Sequence, residues 1–348
     1  MARSSCALTV TPLVRLLACG QMAVRFLTTT VKTDGQNLMW RTASQTGQPH
    51  LTVAFINDLD VPCFSNKFYD SFQNLYLESV KYEKSSVTLY KKAEELLSSS
   101  LGISSLSNDG KVSIKSFANS YKNSGRLDAE YYQPKYDHLF QQINNCKRVM
   151  PLGDIVKIKK SIEPGSDAYT DSGVPFLRVS DVSKYEIRHP EIYLDEKSYD
   201  LSNLIPRKDT ILLSKDGSVG IAYKVQEDMA AVTSSALLHL QIISDEVLPD
   251  YLTLILNSFI VKMQAERDAG GSILQHWRIA DIEKVQIPVA DMDCQRHISE
   301  AVQESFAMRA RAKTLLDIAI RAVEIAIENG EEAALLYLDD CMEDGFTI

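Results

Sequence analysis

The chain has no excess of basic residues, which limits the ways in which it can bind nucleic acid. Its 348 residues include 37 Lys and Arg against 46 Asp and Glu, so the net charge is −9. A protein that grips nucleic acid through a uniformly basic surface has the opposite balance. Local basic patches or a basic partner can still supply phosphate contacts. The composition therefore excludes the first mode of binding and leaves the second open.

Catalytic and nucleotide-binding motifs are also absent from the sequence. It contains no G-x-x-x-x-G-K-S/T loop for ATP, no G-x-G-x-x-G fingerprint and no Asn/Asp-Pro-Pro-Tyr/Phe motif for adenine methylation. Its 6 histidines include no H-x-x-x-H pair. Pro249, Asp250 and Glu266 resemble a nuclease motif, but Arg267 and Asp268 stand where Glu-x-Lys is expected. We therefore expect a non-catalytic chain with no cofactor and no metal of its own.

Cysteine pairs with metal-ligand spacing are missing as well. The 6 cysteines are scattered, with no C-x-x-C pair and no zinc-type histidine spacing. This distribution predicts reduced thiols and a cytoplasmic location.

The first 50 residues differ in composition from the rest of the chain. They contain 5 basic residues and a single acidic one, and they are rich in Ser and Thr. Such a composition suits an organelle transit peptide, and Ala7–Ala18 resembles a short signal core. Arg15 interrupts that run, which is too short to span a bilayer. We expect a poorly structured leader, or a stretch upstream of a truncated gene, in preference to a targeting peptide.

An internal repeat organises the remaining sequence. An Ile-x-x-φ-x-φ-Pro segment, with φ apolar, occurs at Ile56–Pro62 and again at Ile282–Pro288, 226 residues later. Each copy leads into a long helical pattern, and the same offset aligns both patterns without a gap. Two amphipathic helices can align by chance, but the shared lead-in favours a true repeat.

The two repeated patterns predict helices from about Lys67 to Ser99 and from Gln295 to Asn329, the first with an N-cap at Ser65 or Asn66. Apolar residues recur every three or four positions and form a single stripe on each helix. A rod of ~45 Å with one apolar stripe needs a partner. The helices are therefore predicted to pair as an antiparallel coiled coil, through Phe72, Tyr76, Val80, Leu89, Tyr90, Ala93, Ile298, Val302, Phe306, Leu315, Leu316 and Ala319.

The region between the helices predicts an α+β domain. Ser98–Ser124 is rich in Ser, Asn and Gly and indicates a linker. Short runs rich in Val, Ile and Tyr, separated by turn residues, predict the strands of a mixed sheet. Tyr251–Ala265 keeps helical spacing and is followed by Gly270 and Gly271, which predict the end of a helix.

Five segments of this region carry a resemblance to a known family. They are Arg126-Leu127-Asp128-Ala129-Glu130-Tyr131-Tyr132, Gly173-Val174-Pro175-Phe176-Leu177-Arg178, Leu213-Ser214-Lys215-Asp216-Gly217-Ser218-Val219-Gly220, Thr233-Ser234-Ser235 and Tyr251-Leu252-x-x-Ile255-Leu256-Asn257-Ser258. With the repeated helices, their order and spacing resemble the specificity (S) subunit of Type I restriction–modification systems, over about Val53 to Asn329.

The resemblance implies a sequence-specific DNA-binding subunit. In that family a target-recognition domain reads DNA, spacer helices dock modification (methyltransferase) subunits, and restriction (motor-nuclease) subunits join them. ATP, Mg²⁺ and S-adenosylmethionine would then belong to partner subunits. A full S subunit has two recognition domains and two helices, whereas this chain has helix, domain, helix. We therefore expect a truncated subunit that reads part of a bipartite target.

Other functions stay open at this point. The chain could be a recognition module detached from a fused methyltransferase or nuclease, or a coiled-coil interaction protein that binds no DNA. It could also be a half-subunit that pairs with a second copy of itself on a palindromic target.

Candidate DNA contacts follow from residue type. Base edges are read by Arg, Lys, Asn, Gln and Ser on loops, and phosphates by Lys, Arg and backbone amides. The candidates are Lys159, Lys160, Arg178, Ser180, Lys184, Arg188, Lys215, Ser218, Gln275, His276 and Arg278. For each of them the ordinary interpretation is a solvated surface residue, which residue type alone favours over a DNA contact, and Arg178 has a rival structural partner in Asp181. Trp277 is expected to be a core or interface anchor rather than a platform for base stacking. Asp216–Gly220 is expected to be a hairpin turn, because it lacks the Gly-Lys-Ser/Thr ending of a phosphate loop.

These expectations divide the chain into seven segments. They are a leader (1–50), the closing strand of a missing first recognition domain (51–62), a first spacer helix (65–100), a linker (101–124), a target-recognition domain (125–290), a second spacer helix (294–330) and an acidic tail (331–348). From Glu328 to Asp344 the sequence has 7 acidic residues and no Lys or Arg, which predicts a frayed, solvated end.

Overall fold

A computed structural model describes residues 64–104, 112–196, 199, 204–269 and 275–343. The leader expected at 1–50 and the closing strand expected at 51–62 lie outside these residues. Among the helices in the described part of the chain, none has the length and apolar content that a membrane span requires.

The described residues form helices and short strands in the following order along the chain. The helices are α1 (Asn66–Leu101), α2 (Pro134–Asn144), α3 (Pro249–Asn257), α4 (Phe259–Asp268), α5 (Met292–Asn329) and α6 (Glu331–Glu343), with short helical turns at Tyr121–Ser124, Ala129–Tyr132, Leu152–Ile155, Ser166–Ala168, Val179–Asp181 and Ile279–Ile282. The strands are β1 (Val149–Pro151), β2 (Val156–Lys159), β3 (Tyr169–Thr170), β4 (Val174–Leu177), β5 (Tyr193–Leu194), β6 (Ile211–Ser214), β7 (Ala222–Lys224), β8 (Val232–Thr233), β9 (Leu237–Ile242) and β10 (Gln286–Pro288).

The chain divides into two compact units. Among the described residues, unit 1 takes those up to Ser85 and those from Met308 onwards, and unit 2 takes those from Ser86 to Ala307. The helices predicted from Lys67 and from Gln295 are present as α1 and α5, each with slightly wider bounds than expected. Ser65 caps α1, because its hydroxyl accepts a hydrogen bond from the Phe68 N–H at 3.3 Å.

In unit 1 the parts of α1 and α5 pack against each other in antiparallel directions. Phe68, Phe72 and Leu75 of α1 share a buried cluster with apolar residues of α5, among them Leu315 and Ala319. Nearer the middle of α1, the Ser79 hydroxyl donates to the Ala312 carbonyl at 2.8 Å. Tyr76 borders this cluster, whereas Val80 and Leu316 are half-buried outside it.

The acidic tail is not frayed up to Glu343, and here the sequence-based expectation was wrong. Gly330, with φ of 96°, separates α5 from α6. Ala334 and Leu338, one helical turn apart, are buried against the start of α1. The Ser65 N–H donates to Glu331 Oε1 at 2.9 Å. The acidic composition of this tail predicted a solvated end, but its few apolar residues form a stripe that packs the helix against α1.

In unit 2 the remaining parts of α1 and α5 pack against the core of the domain. Tyr90, Ala93 and Leu97 of α1 join Ile298 and Val302 of α5 in the largest buried cluster, which Phe306 borders. Ser305 also donates to the Ser86 carbonyl at 2.8 Å. Leu89 is half-buried outside this cluster.

The described strands form three sheets rather than one mixed sheet. The main sheet has the order β2-β9-β6-β7 and is antiparallel throughout. A second sheet has the order β3-β5-β4-β8, in which β4 and β8 are parallel. The third is the pair β1-β10, and β10 belongs to the repeated lead-in, whose Ile287 is fully buried. The predicted α+β domain with a mixed sheet is confirmed, since the second sheet has both parallel and antiparallel pairs; the division of the strands into three sheets was not predicted, because strand length and turns do not specify long-range pairing.

The helix expected at Tyr251–Ala265 is broken into α3 and α4. Ser258 between them has an extended backbone, with φ −74° and ψ 164°. Asn257 ends α3 by accepting from the Ala222 N–H at 3.1 Å and donating to the Ala222 carbonyl at 2.7 Å. This contact with β7 ties down the helix end, which local spacing did not reveal.

Parts of the expected linker are ordered and packed. Ile103 is buried with Leu139, Ile143 and Ile260. The Ser104 N–H donates to Gln142 Oε1 at 3.0 Å. The expectation of an exposed linker starting at residue 101 was therefore wrong for its first residues, because Ile103 supplies apolar area to the domain.

A buried ion pair links the main sheet to two helices of unit 2. Lys224 Nζ of β7 lies 2.7 Å from Asp250 Oδ1 of α3, and Gln303 Nε2 of α5 donates to Asp250 Oδ2 at 2.7 Å. Both charged side chains are under 10% exposed. A buried carboxylate needs such partners, because its desolvation is otherwise costly.

Candidate nucleic-acid interface

One end of the main sheet gathers loops from several parts of the chain. The carboxyl ends of β2 and β6 meet the amino end of β9, because Lys159 pairs with His239 and Ser214 with Leu237. The Lys215 N–H extends this pairing by donating to the Ala236 carbonyl at 2.9 Å. We name this end the loop edge; it consists of 159–162, 215–220, 234–236 and 275–278.

The turn from Lys215 to Gly220 is the hairpin that the sequence predicted, because it joins the antiparallel strands β6 and β7. The Ser214 hydroxyl donates to the Ser218 carbonyl at 2.6 Å and accepts from the Ile221 N–H at 2.8 Å. Gly220, with φ of 83°, supplies the left-handed conformation that this turn requires. The turn is thus held internally before any ligand binds.

The segment Gln275–Arg278 lies against this hairpin like an added strand. The Gly217 N–H donates to the Gln275 carbonyl at 3.0 Å, and the Trp277 N–H donates to the Lys215 carbonyl at 2.8 Å. Asp216 and His276 form the bridge between these two bonds. Trp277 is fully buried in the core, which confirms its predicted role as an anchor.

Polar side chains on the loop edge are paired with one another. Asp216 accepts from Lys215 Nζ through Oδ2 and contacts His276 Nδ1 through Oδ1. Arg278 Nε donates to Asp281 Oδ2 at 2.7 Å, while most of the Arg278 side chain stays exposed. Lys160 is exposed at the end of β2. The edge therefore presents cationic and hydrogen-bonding groups, and neighbouring carboxylates hold Lys215, His276 and Arg278 in position.

A neighbouring turn carries Arg178 and Ser180. The Ser234 N–H donates to the Leu177 carbonyl at 2.8 Å, which brings this turn beside the loop edge. Asp181 Oδ2 accepts from the Arg178 N–H at 2.8 Å, and Arg178 Nε lies 3.8 Å from the same oxygen. Arg178 therefore has the structural partner in Asp181 that the sequence suggested, although its side chain is still 41% exposed.

Two lysines among the candidates are engaged inside the protein. Lys215 is only 8% exposed, with its ammonium on Asp216. Lys184 lies against α1, where its Nζ donates to Glu94 Oε1 at 3.1 Å and lies 4.7 Å from the Tyr90 ring centre. Burial acts to lower the pKa of Lys184, but Tyr185 and Glu94 outweigh it and the pKa is raised. Arg188 is exposed on the next turn, and its N–H donates to the Asp181 carbonyl at 2.8 Å.

His239 lies beneath the loop edge and is buried. Its Nε2 is 2.8 Å from the Thr233 hydroxyl. Burial lowers the pKa of His239 to about 4, and Lys159 adds to this effect. The imidazole is therefore neutral at physiological pH and belongs to the core rather than to a surface that binds phosphate.

The Arg126–Tyr132 segment is structural in this fold. The guanidinium groups of Arg126 and Arg267 lie 4.6 and 4.9 Å from the Tyr131 ring centre. Arg126 also donates to Asp128 Oδ1 at 2.8 Å and to the Asp268 carbonyl at 3.3 Å. This clasp holds the end of α4, the helix that precedes the 275–278 segment.

Sequence reasoning missed Asp216 as a member of the site. It lay within a segment quoted above, but its two partners become visible only when the 275–278 segment is placed beside the hairpin. Within the described part of the chain, no group of three or more His, Cys, Asp or Glu residues could hold a metal ion. Cys146, Cys294 and Cys341 are free thiols.

The described residues define a class of protein by their fold: an α+β domain, with a loop edge at one end of its main sheet, that is connected in the chain to two long helices. Residues 145–311 match the family model of the Type I restriction modification DNA specificity domain. This stretch is a DNA specificity domain of the Type I restriction–modification kind, and it supports a specificity-subunit role for the chain.

The solved structures that this chain matches have low sequence identity and TM-scores below 0.5. The S subunit of a Type I restriction–modification system from M. genitalium is 13% identical, with 87% of this chain and 69% of that chain covered and a TM-score of 0.41. A structure described by complex assembly and conformational transition of the type I R-M system is 16% identical, with 85% and 70% covered and a TM-score of 0.38. The HsdS subunit from Thermoanaerobacter tengcongensis is 15% identical, with 85% and 67% covered and a TM-score of 0.35. A search of curated proteins finds no match. The assignment therefore rests on the family match.

Proposed function

We propose that this chain reads one word of a bipartite DNA target through its loop edge and docks modification subunits through α1 and α5. The observation that carries the proposal is the loop edge itself. It unites the hairpin after β6, the end of β2 and the 275–278 segment, which are far apart in sequence. Loops held on a rigid sheet are suited to positioning side chains against base edges.

The chemistry of the edge divides into two tasks. Exposed cations such as Lys160 and Arg278 would neutralise phosphates, which positions the domain but carries no sequence information. Gln275, His276 and Ser218 carry donors and acceptors that can distinguish base edges in the major groove. The ammonium groups of Lys215 and Lys184 would hold parts of the protein in place through their ion pairs with Asp216 and Glu94, rather than bind phosphates.

The partners follow from the family. Modification (methyltransferase) subunits would bind the helices, and restriction (motor-nuclease) subunits would join the complex. ATP, Mg²⁺ and S-adenosylmethionine would be held by those subunits, with this chain non-catalytic and located in the cytoplasm. The net charge of −9 supports such a division of labour, because a partner can supply phosphate contacts that an acidic chain lacks.

The test is a DNA-binding titration of the full chain, alone and with its modification subunit, at two salt concentrations. The isolated chain should bind weakly and lose affinity steeply with salt, and the modification subunit should raise the affinity by a large factor. Equal affinity with and without that subunit would contradict the proposal.

The same preparation separates the other functions. Methyl transfer by the purified chain would favour a module detached from a methyltransferase. Absence of any DNA footprint in the presence of the partner would favour a plain helical interaction protein. A molar mass of two chains in solution would favour self-pairing and predict a palindromic target.

A further inference from the structure

Lys215, Asp216 and His276 on the loop edge contact one another in series, from the protein interior to solvent. Lys215 is 8% exposed, Asp216 is 31% exposed and His276 is 60% exposed. Each oxygen of the Asp216 carboxylate serves one neighbour, Oδ2 the lysine and Oδ1 the histidine. The backbone on both sides of the bridge is hydrogen-bonded, so this arrangement is fixed by main-chain geometry.

The contact determines which imidazole nitrogen carries a hydrogen. An ionised carboxylate can only accept, so His276 Nδ1 must donate. In the neutral ring this leaves Nε2, on the exposed side chain, as a hydrogen-bond acceptor. Lys215 meanwhile neutralises Asp216, so the carboxylate adds no net negative charge to an edge that approaches phosphates.

We propose that His276 is a base-reading residue whose Nε2 accepts a hydrogen bond from an exocyclic amino group, adenine N6 or cytosine N4. These are the groups that donate from base edges in the major groove, whereas guanine and thymine present only acceptors there and adenine N7 is an acceptor beside the N6 amino group. Asp216 is a positioning residue, because it acts on DNA only through the imidazole. This inference rests on the proposed function, and it assigns to His276 one position of the DNA word.

The Asp216→Asn variant gives the sharpest test. Lys215 can only donate, so the amide oxygen of the new side chain would face Lys215 and its NH₂ group would face His276 Nδ1. Nδ1 would then accept, and Nε2 would carry the hydrogen and donate. Guanine or thymine, which present acceptors, should then be accepted at the one position where the wild type requires an amino group, and cytosine should be disfavoured there; adenine can still bind through its N7 acceptor. A merely structural role for Asp216 would not cause this change.

The experiment maps methylated sites in genomic DNA from cells that carry the full chain with its modification subunit. In the His276→Ala variant, discrimination at a single position of the word should fall about tenfold, with the other positions unchanged. His276→Gln, which keeps an acceptor, should show a smaller loss at that same position. His138→Ala is the matched control, because His138 is an exposed histidine of unit 2 that lies on α2. Thermal unfolding of each variant confirms that it is folded.

Each outcome decides the matter. A change confined to one position in His276→Ala, with a changed base preference there in Asp216→Asn, supports the inference. An unchanged word in both variants, or a uniform loss at all positions, overturns it and leaves the proposed function standing. A wild-type complex that methylates without any preferred word overturns the proposed function and the inference together.

Discussion

Ser79 and Ser305 stand 226 residues apart and make the same contact. The Ser79 hydroxyl donates to the Ala312 carbonyl at 2.8 Å, and the Ser305 hydroxyl donates to the Ser86 carbonyl at 2.8 Å. Ala312 and Ser86 are also separated by 226 residues. The internal repeat is therefore a repeat of contacts as well as of sequence, with the roles of the two helices exchanged.

Both serines are almost fully buried, so their replacement should lower the free energy of unfolding. Ser305→Ala leaves the Ser86 carbonyl without this donor and should lower the free energy of unfolding by about 1 kcal/mol. Ser305→Val adds bulk at a close helix contact and should cost about 1–3 kcal/mol. The measurement is urea unfolding followed by circular dichroism. Thr314→Ala, at an exposed hydroxyl that bonds its own helix, should change little.

The ion pair between Lys224 and Asp250 predicts a strongly non-additive pair of variants. Asp250→Leu alone leaves a buried ammonium without its nearest carboxylate and should destabilise unit 2 by about 3–5 kcal/mol. Combination with Lys224→Met should recover much of that loss, because neither charge is then buried alone. Additive losses in a double-mutant cycle from unfolding curves would contradict this account.

His239 predicts a loss of stability as the pH falls. Its folded-state pKa of about 4 lies below the unfolded value of 6.5, so between these values the unfolded chain binds more protons. The contribution is present above pH 6.5 and is lost towards pH 4, by roughly 2–4 kcal/mol in total. In unfolding curves at pH 7 and pH 5, His239→Gln should show a smaller difference than the wild type. The exposed His138→Gln should not.

Lys160 and Lys184 should behave differently in DNA binding. Lys160→Ala removes an exposed cation of the loop edge and should weaken binding at all sequences, with the slope of log K against log salt reduced by about 1. Lys184→Ala should leave that slope unchanged, because its ammonium is held by Glu94 and two tyrosine rings. Its effect should appear instead as about 1 kcal/mol of lost stability. The reverse pattern in salt titrations would place the DNA surface elsewhere.

The long helices could be predicted closely because their signal is local. Apolar residues every three or four positions specify an amphipathic helix whatever lies against it, and α1 begins one residue before its predicted start. The break at Ser258 could not be predicted, because its cause is a pair of hydrogen bonds between Asn257 and Ala222, 35 residues away. The same reasoning explains the division of the strands into three sheets.

The candidate site could be predicted from the sequence only in part. Residue type and turn signals pointed to Ser218, Gln275, His276 and Arg278, and the structure places all four on the loop edge. They could not show that Lys215 is buried, or that Asp216 lies between it and a histidine 60 residues along the chain.

By itself the sequence determined the two helices, the repeat and the family of the domain between them, because each depends on periodicity or order along the chain. Only the tertiary structure decided which polar side chains remain open to DNA. Lys184 and Glu94 are 90 residues apart, and their ion pair exists because the fold brings a domain turn against a helix. Burial and charge pairing are properties of neighbours in space, so no local pattern could have separated Lys184 from Lys160.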